Sequence, residues 1–85
     1  MIRLVFLGKL ADLAGKSDDR IAATGRLGWA DVAGWLEGHF SAPLVAEALG
    51  PRTRIAVNGA LVADPQALDF GTGDEIAFLP PVSGG

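Results

Sequence analysis

The dipeptide Asn58-Gly59 constrains this chain more than any other pair of residues in it. A two-residue β-hairpin needs positive φ at both central positions, and Asn-Gly adopts that backbone most readily. Arg54-Ile55-Ala56-Val57 precedes it and Ala60-Leu61-Val62 comes after, so the sequence predicts two antiparallel strands joined at this turn. A two-stranded hairpin is marginal in water and needs more strands or a helix to cover a face. Ile2 to Gly8 supplies one such strand, with Ile2, Leu4 and Phe6 on one side and Arg3, Val5 and Leu7 on the other. Apolar residues on both sides suit a central position with part of the second face covered. Asp74 to Leu79 supplies another, with Ile76 and Phe78 opposed to Glu75, Ala77 and Leu79.

Between these strands the pattern changes. Lys9 to Ser17 reads as a connection with some helical character, closed by Gly15-Lys16. Arg20 to Ala23 reads as a short, weak strand suited to an edge. From Gly28 to about Phe40 the residues Trp29, Val32, Ala33, Leu36 and Phe40 fall on one helical stripe. Gly34 and Gly38 weaken that helix and are expected to bring it close to the sheet. Ser41 is placed to cap a second short helix, Ala42 to Leu49, which Gly50-Pro51 ends. Asp64-Pro65 turns the chain, and Gln66 to Phe70 reads as a turn or helical turn. The order strand, strand, helix, three strands predicts an α+β domain: one sheet, with one main helix on one face and the last strand beside the first.

The 85 residues make one small domain, and 49% apolar content is enough for a packed core. The net charge of −3 argues against a nucleic-acid or anionic-membrane binder and mildly favours partners with basic surfaces. With no cysteine, disulfide scaffolds, thiolate zinc sites and cysteine-ligated iron–sulfur clusters are excluded. The apolar start Met1 to Gly8 is too short for a signal peptide, and no stretch approaches the ~20 apolar residues of a membrane span. A soluble cytoplasmic protein is expected.

Side-chain chemistry is sparse. The single histidine, His39, sits late on the main helix, and no serine lies in a glycine-flanked elbow, so a surface role suits His39 better than catalysis. Asp12, Asp18, Asp19, Asp31, Asp64, Asp69 and Asp74 lack calcium-loop spacing and read as turn and loop residues. Gly71-Thr72-Gly73-Asp74 lacks the lysine and the helix of a phosphate loop. Trp29 is assigned to the core; Trp35 fits a packing residue or a contact surface equally. With the main helix on the Ile2/Leu4/Phe6 side, Leu7, Leu61 and Leu79 form an apolar patch on the other face, which reads as a protein–protein interface. The competing arrangement covers that face with the Lys9 to Ser17 loop.

The sequence ends Leu79-Pro80-Pro81-Val82-Ser83-Gly84-Gly85. Proline cannot donate to a sheet ladder, so the last strand stops at the proline pair, which stiffens and extends the start of the tail. Gly84 and Gly85 have no Cβ and fit a slot too narrow for a side chain. The six residues from Pro80 to Gly85 span ~20 Å when fully extended. The expected division is a domain over 1–81 and a flexible tail over 82–85.

This ending, together with Ile55-Ala56-Val57-Asn58-Gly59 and the strand Ile2 to Leu7, resembles the small subunits of molybdopterin synthases, the MoaD-like sulfur carriers. The resemblance spans nearly the whole chain, and Pro-Pro-Val-Ser-Gly-Gly is its specific part. It implies a ubiquitin-like β-grasp fold of about five strands. It implies that the Gly85 carboxylate is adenylated with ATP by an enzyme related to ubiquitin-activating enzymes. Sulfur then replaces the adenylate to leave a thiocarboxylate, which delivers sulfur to cyclic pyranopterin monophosphate inside the large synthase subunit. The reactive residues so implied are Gly85 and Gly84. Leu7, Leu61, Leu79, Pro80, Pro81, Val82 and Ser83 are implied as partner contacts, within an expected heterotetramer. No cofactor or metal is implied on this chain; catalytic side chains belong to the partners. Family members often carry an arginine in the loop after the first strand, where this chain reads Leu10-Ala11-Asp12-Leu13. Three other functions share much of this pattern. They are a sulfur carrier for thiamin thiazole synthesis, a ubiquitin-like modifier joined to lysines, and a β-grasp interaction domain whose Gly-Gly is incidental. Pro80-Pro81 favours the molybdopterin branch.

Overall fold

The computed structural model describes residues 1–81; Val82, Ser83, Gly84 and Gly85, with the expectations that fall on them, lie outside the described residues. Strand β1 (Ile2–Phe6) runs antiparallel to β2 (Asp18–Ile21) on one side. On the other it runs parallel to β7 (Glu75–Leu79), with Leu4 opposite Ile76 and Phe6 opposite Phe78. Strand β4 (Arg54–Val57) pairs antiparallel with β7 and, across the turn, with β5 (Ala60–Val62). That turn is the Asn-Gly hairpin predicted, with φ of 51° at Asn58 and 85° at Gly59. The sheet order is β2-β1-β7-β4-β5. A mixed five-stranded sheet with its long helix on one face is the β-grasp arrangement, in the α+β class expected.

The helices are α1 (Lys9–Ala14), α2 (Trp29–His39) and α3 (Ala42–Ala48). Val32 and Leu36 of α2 and Leu44 of α3 are fully buried against Ile2, Leu4, Phe6, Ile76 and Phe78 of the sheet. Each such side chain contributes about 1.5–3 kcal/mol by leaving water. Phe6 and Phe78 stack in register with centroids 5.5 Å apart, and Phe40 meets Phe6 edge-on at 5.3 Å. Trp29 is half-buried and packs against Phe70 and Phe78, so it flanks the core.

Several local expectations need correction. Strand β2 starts at Asp18 rather than Arg20, because pairing with β1 decides its limits over weak propensity. Gly34 and Gly38 are exposed with open space around them, so they do not draw α2 onto the sheet. Ser41 occupies the cap position of α3 without a side-chain bond to the helix; Pro43 sits in the first turn, where its missing N–H is harmless. The segment after Asp64 is a 3₁₀ turn (Pro65–Ala67) followed by strand β6 (Asp69–Phe70). Strand β6 pairs with β3 (Leu27–Gly28) in a second, two-stranded sheet. Two-residue strands carry no periodicity, so nothing in the sequence announces them.

Candidate functional site

The strand alternation that buries Ile2, Leu4, Phe6, Ile76 and Phe78 sends their neighbours to the opposite face of the sheet. Pairing then aligns these outward residues. Leu61 lies opposite Ala56, Ala56 opposite Ala77, Ala77 opposite Val5, and Val5 opposite Asp18. One unbroken row therefore crosses all five strands, apolar except at its β2 end. Two residues further along β7, Leu79 lies opposite Arg54. The Leu7 N–H donates to the Phe78 carbonyl at 3.1 Å, which carries the β1–β7 pairing one residue on and sets Leu7 beside Leu79.

Nothing described covers this face. Helix α1 turns to the other side of the sheet, where Leu10 is fully buried in the core and Lys9 Nζ lies 2.5 Å from Glu47 Oε1 of α3. The loop that was the alternative cover is therefore committed elsewhere. The family arginine position falls in this helix, and its Leu10 is a core residue. Leu7 is 41% exposed and Leu61 65% exposed, while Leu79, Pro80 and Pro81 are half-buried. Ala56 is only 8% exposed yet stands outside the core cluster, sheltered by its neighbours on the open face.

The opposite end of the face is charged and internally matched. Arg3 reaches Asp18 at 3.3 Å and Glu75 at 3.1 Å. Close by, Asn58 Nδ2 donates to Asp74 Oδ1 at 3.0 Å, and the Glu75 N–H donates to Asn58 Oδ1 at 2.9 Å. The Asn58 bond, with a second from the Gly71 N–H, holds the Asp74 carboxyl below its ordinary pKa by favouring the charged form.

The base of the tail has its own device. Gly8 follows β1 with φ of 57°, and a Cβ there would stand 3.0 Å from Pro80 Cγ. Glycine lets the β1–α1 corner touch the proline that ends β7. The sequence reading missed this contact and missed Ala56 and Arg54 as parts of the face; it put Val5 and Ala77 on that side but left them out of the patch. Strand alternation implies which way each residue points; only the pairing register shows that they adjoin.

The polar side chains form no comparable centre. His39 is exposed; its ring stacks on Trp35 at 4.1 Å, and Nδ1 donates to the Trp35 carbonyl at 2.8 Å. Trp35 is half-buried against the core and Phe40, which settles it as a packing residue with one open side. Among the described residues no three His, Asp or Glu side chains gather as metal ligands. No helix among them is long and apolar enough to cross a membrane. A hollow of about 500 Å³ between the end of α3 and the β4–β5 hairpin is lined by Trp29, Leu49, Thr53, Val62 and Gln66, among others. The Thr53 hydroxyl there is already engaged, donating to the Glu47 carbonyl at 2.6 Å. The site this geometry offers is thus a surface and a strand end.

Known structures share this architecture. SAMP1 from Haloferax volcanii is 26% identical, superposes with a TM-score of 0.73, and is covered over 98% of its length by 99% of this chain. A chain in the complex of subunits 1 and 2 of molybdopterin-converting factor from Helicobacter pylori is 21% identical with a TM-score of 0.68, over 99% of this chain and 97% of that one. The Haloferax volcanii HVO 2177 protein in solution is 24% identical with a TM-score of 0.76, over 99% of this chain and 85% of that one. No curated protein matches. The model of the ThiS family matches residues 4–85, from the first strand to the final glycine, and the chain belongs to that family.

Proposed function

We propose that this protein is a sulfur carrier that serves as the small subunit of a molybdopterin synthase. One observation carries the reading. Strand β7 brings Pro80-Pro81 out at the border of an uncovered apolar face formed by Leu7, Leu61, Leu79 and the alanines between them. A partner seated on that face receives the tail Val82-Ser83-Gly84-Gly85 directly. Membership of the ThiS family supports the carrier role, and the ending Pro-Pro-Val-Ser-Gly-Gly supports the molybdopterin branch.

The chemistry follows from what a carboxylate lacks. It is a poor electrophile, so the Gly85 oxygen attacks the α-phosphate of ATP in an adenylating enzyme, releasing pyrophosphate and giving an acyl-adenylate. A sulfide-level donor attacks the acyl carbon, and the C–O bond to AMP breaks. The thiocarboxylate sulfur is a better nucleophile than the oxygen it replaced. It is transferred to the pterin precursor in the large subunit, and water restores the carboxylate. This chain contributes docking and delivery; its partners supply the side chains that orient ATP and pterin. ATP acts on this chain only through the enzyme, and the cargo is sulfur. Both partners use one face, so docking alternates between them, and the carrier works in the cytoplasm beside them.

A second reading, a ubiquitin-like modifier, is favoured by the 26% identity to SAMP1 along almost the whole chain. Intact-mass spectrometry after incubation with the adenylating enzyme, ATP and a sulfur donor separates the two. A carrier gains one sulfur-for-oxygen exchange at Gly85 and passes it to cyclic pyranopterin monophosphate when the large subunit is added. A modifier forms isopeptide adducts, and an unchanged mass overturns both. Removing Gly85 abolishes the exchange and leaves the fold intact; loss of the fold instead would count against this assignment.

A further inference from the structure

We infer that Arg54 is a specificity residue that receives a carboxylate of the adenylating enzyme when that enzyme covers the open sheet face. The inference rests on the reading above that this face docks partners. The face carries three arginines, Arg3, Arg20 and Arg54, and two carboxylates, Asp18 and Glu75. Both carboxylates are bound to Arg3 at the end remote from the tail, and Arg20 stands beside that cluster on β2. Arg54 stands apart from it. It is exposed, lies opposite Leu79 at the strand end that leads to Pro80, and is followed two residues on by Ala56 of the apolar row. Among the described residues it has no ion-pair partner.

A cation in that setting constrains whatever binds. Covering Leu61, Ala56, Ala77 and Leu79 with an apolar surface takes Arg54 out of water as well. An uncompensated buried charge costs several kcal/mol, so a merely greasy partner is rejected at this corner. A carboxylate reverses the sign of that effect, because guanidinium binds carboxylate through two parallel N–H···O bonds. The net charge of −3 suggests basic partners, but at the tail end of the docking face the local charge is positive and calls for an acid. The adenylating enzyme is the fitting occupant among the two proposed. Both partners meet and release the carrier each cycle, and matched rim charges act chiefly on such encounters. The adenylating enzyme is the one that must take up the free carboxylate form before any sulfur is carried, so it is the first to face Arg54.

The test is the KM of the adenylating enzyme for the carrier in ATP–pyrophosphate exchange, with Arg54→Glu, Arg54→Gln, Arg54→Lys and Leu79→Asp, each checked for fold by circular dichroism. Arg54→Glu raises KM about tenfold or more at unchanged kcat, and the rise shrinks as salt is added. Arg54→Gln has a smaller effect, and Arg54→Lys restores part of the loss. A KM for Arg54→Glu within about twofold of the parent, while Leu79→Asp weakens binding, overturns the role of Arg54 and leaves the docking face standing. If neither substitution changes KM, the docking reading falls with it. A fall in kcat at constant KM means that Arg54 touches the adenylate phosphate instead, and overturns the protein-carboxylate assignment.

Discussion

Asn58 does two jobs from one position. Its backbone takes φ of 51° in the hairpin, and its side chain both donates to Asp74 and accepts from the Glu75 N–H. The β4–β5 turn is thereby fastened to the start of β7. Asn58→Gly keeps the permissive backbone and removes both side-chain bonds. These bonds are exposed, so the expected loss is about 1 kcal/mol, seen as a fall in Tm of about 5 °C. The same variant lets the Asp74 pKa rise toward normal, since the Asn58 bond is the larger cause of its depression. A titration of Asp74 by NMR in the two proteins checks this. An unmoved pKa would show that the Gly71 N–H suffices.

Helix α2 shows how an element answers to its surroundings. Its buried face is narrow, Val32 and Leu36, with Trp29, Trp35 and Phe40 partly covered beside them. The N-terminus is closed by Asp31, whose Oδ2 accepts from the Gly28 N–H at 2.9 Å. On the solvent side Gly34 and Gly38 add backbone entropy to the unfolded chain, and a Cβ added at either would meet no other part of the fold within 4 Å. Gly34→Ala and Gly38→Ala are each expected to stabilise the protein by about 0.5–1 kcal/mol, read from urea denaturation at unchanged slope. A loss of stability would mean that these positions contact something in the folded protein.

At the scale of the whole molecule, folding tunes four carboxyl groups among the described residues, and the Arg26 pKa is raised in turn by its bond to Asp69. Asp19, Glu47, Asp69 and Asp74 all have lowered pKa values. The first cause is the Arg20 N–H for Asp19, Lys9 for Glu47, Arg26 for Asp69 and Asn58 for Asp74. A carboxyl whose folded pKa lies below its unfolded one contributes its full stabilisation above the unfolded value, about 4. That contribution disappears as pH falls through the folded value. Tm is therefore expected to hold steady from about pH 5 to 8 and to drop below about pH 4. A thermal scan across that range would reveal any contrary rise toward acid. Lys9–Glu47 and Arg26–Asp69 join segments far apart in sequence, so the acid transition loosens the α1–α3 and β3–β6 contacts as well as the main sheet.

The features legible in the sequence were those that neighbouring residues decide among themselves. Asn58-Gly59 fixes a hairpin because only certain residues accept positive φ. Alternation in Ile2–Phe6 and Glu75–Leu79 separates core from open face, and the helical stripe from Trp29 to Phe40 shows which side α2 buries. The Pro-Pro stop fixes where β7 ends, at Leu79. Registers and partners separated by dozens of residues were not legible, because pairing energy belongs to neither strand alone. Only the tertiary structure joined Leu61, Ala56, Ala77 and Val5 into one row, set Arg54 opposite Leu79, laid Gly8 against Pro80, and sent Leu10 and Lys9 to the far side of the sheet so that the face stayed open. Local sterics write the elements into the chain, and long-range burial chooses which of their surfaces meet.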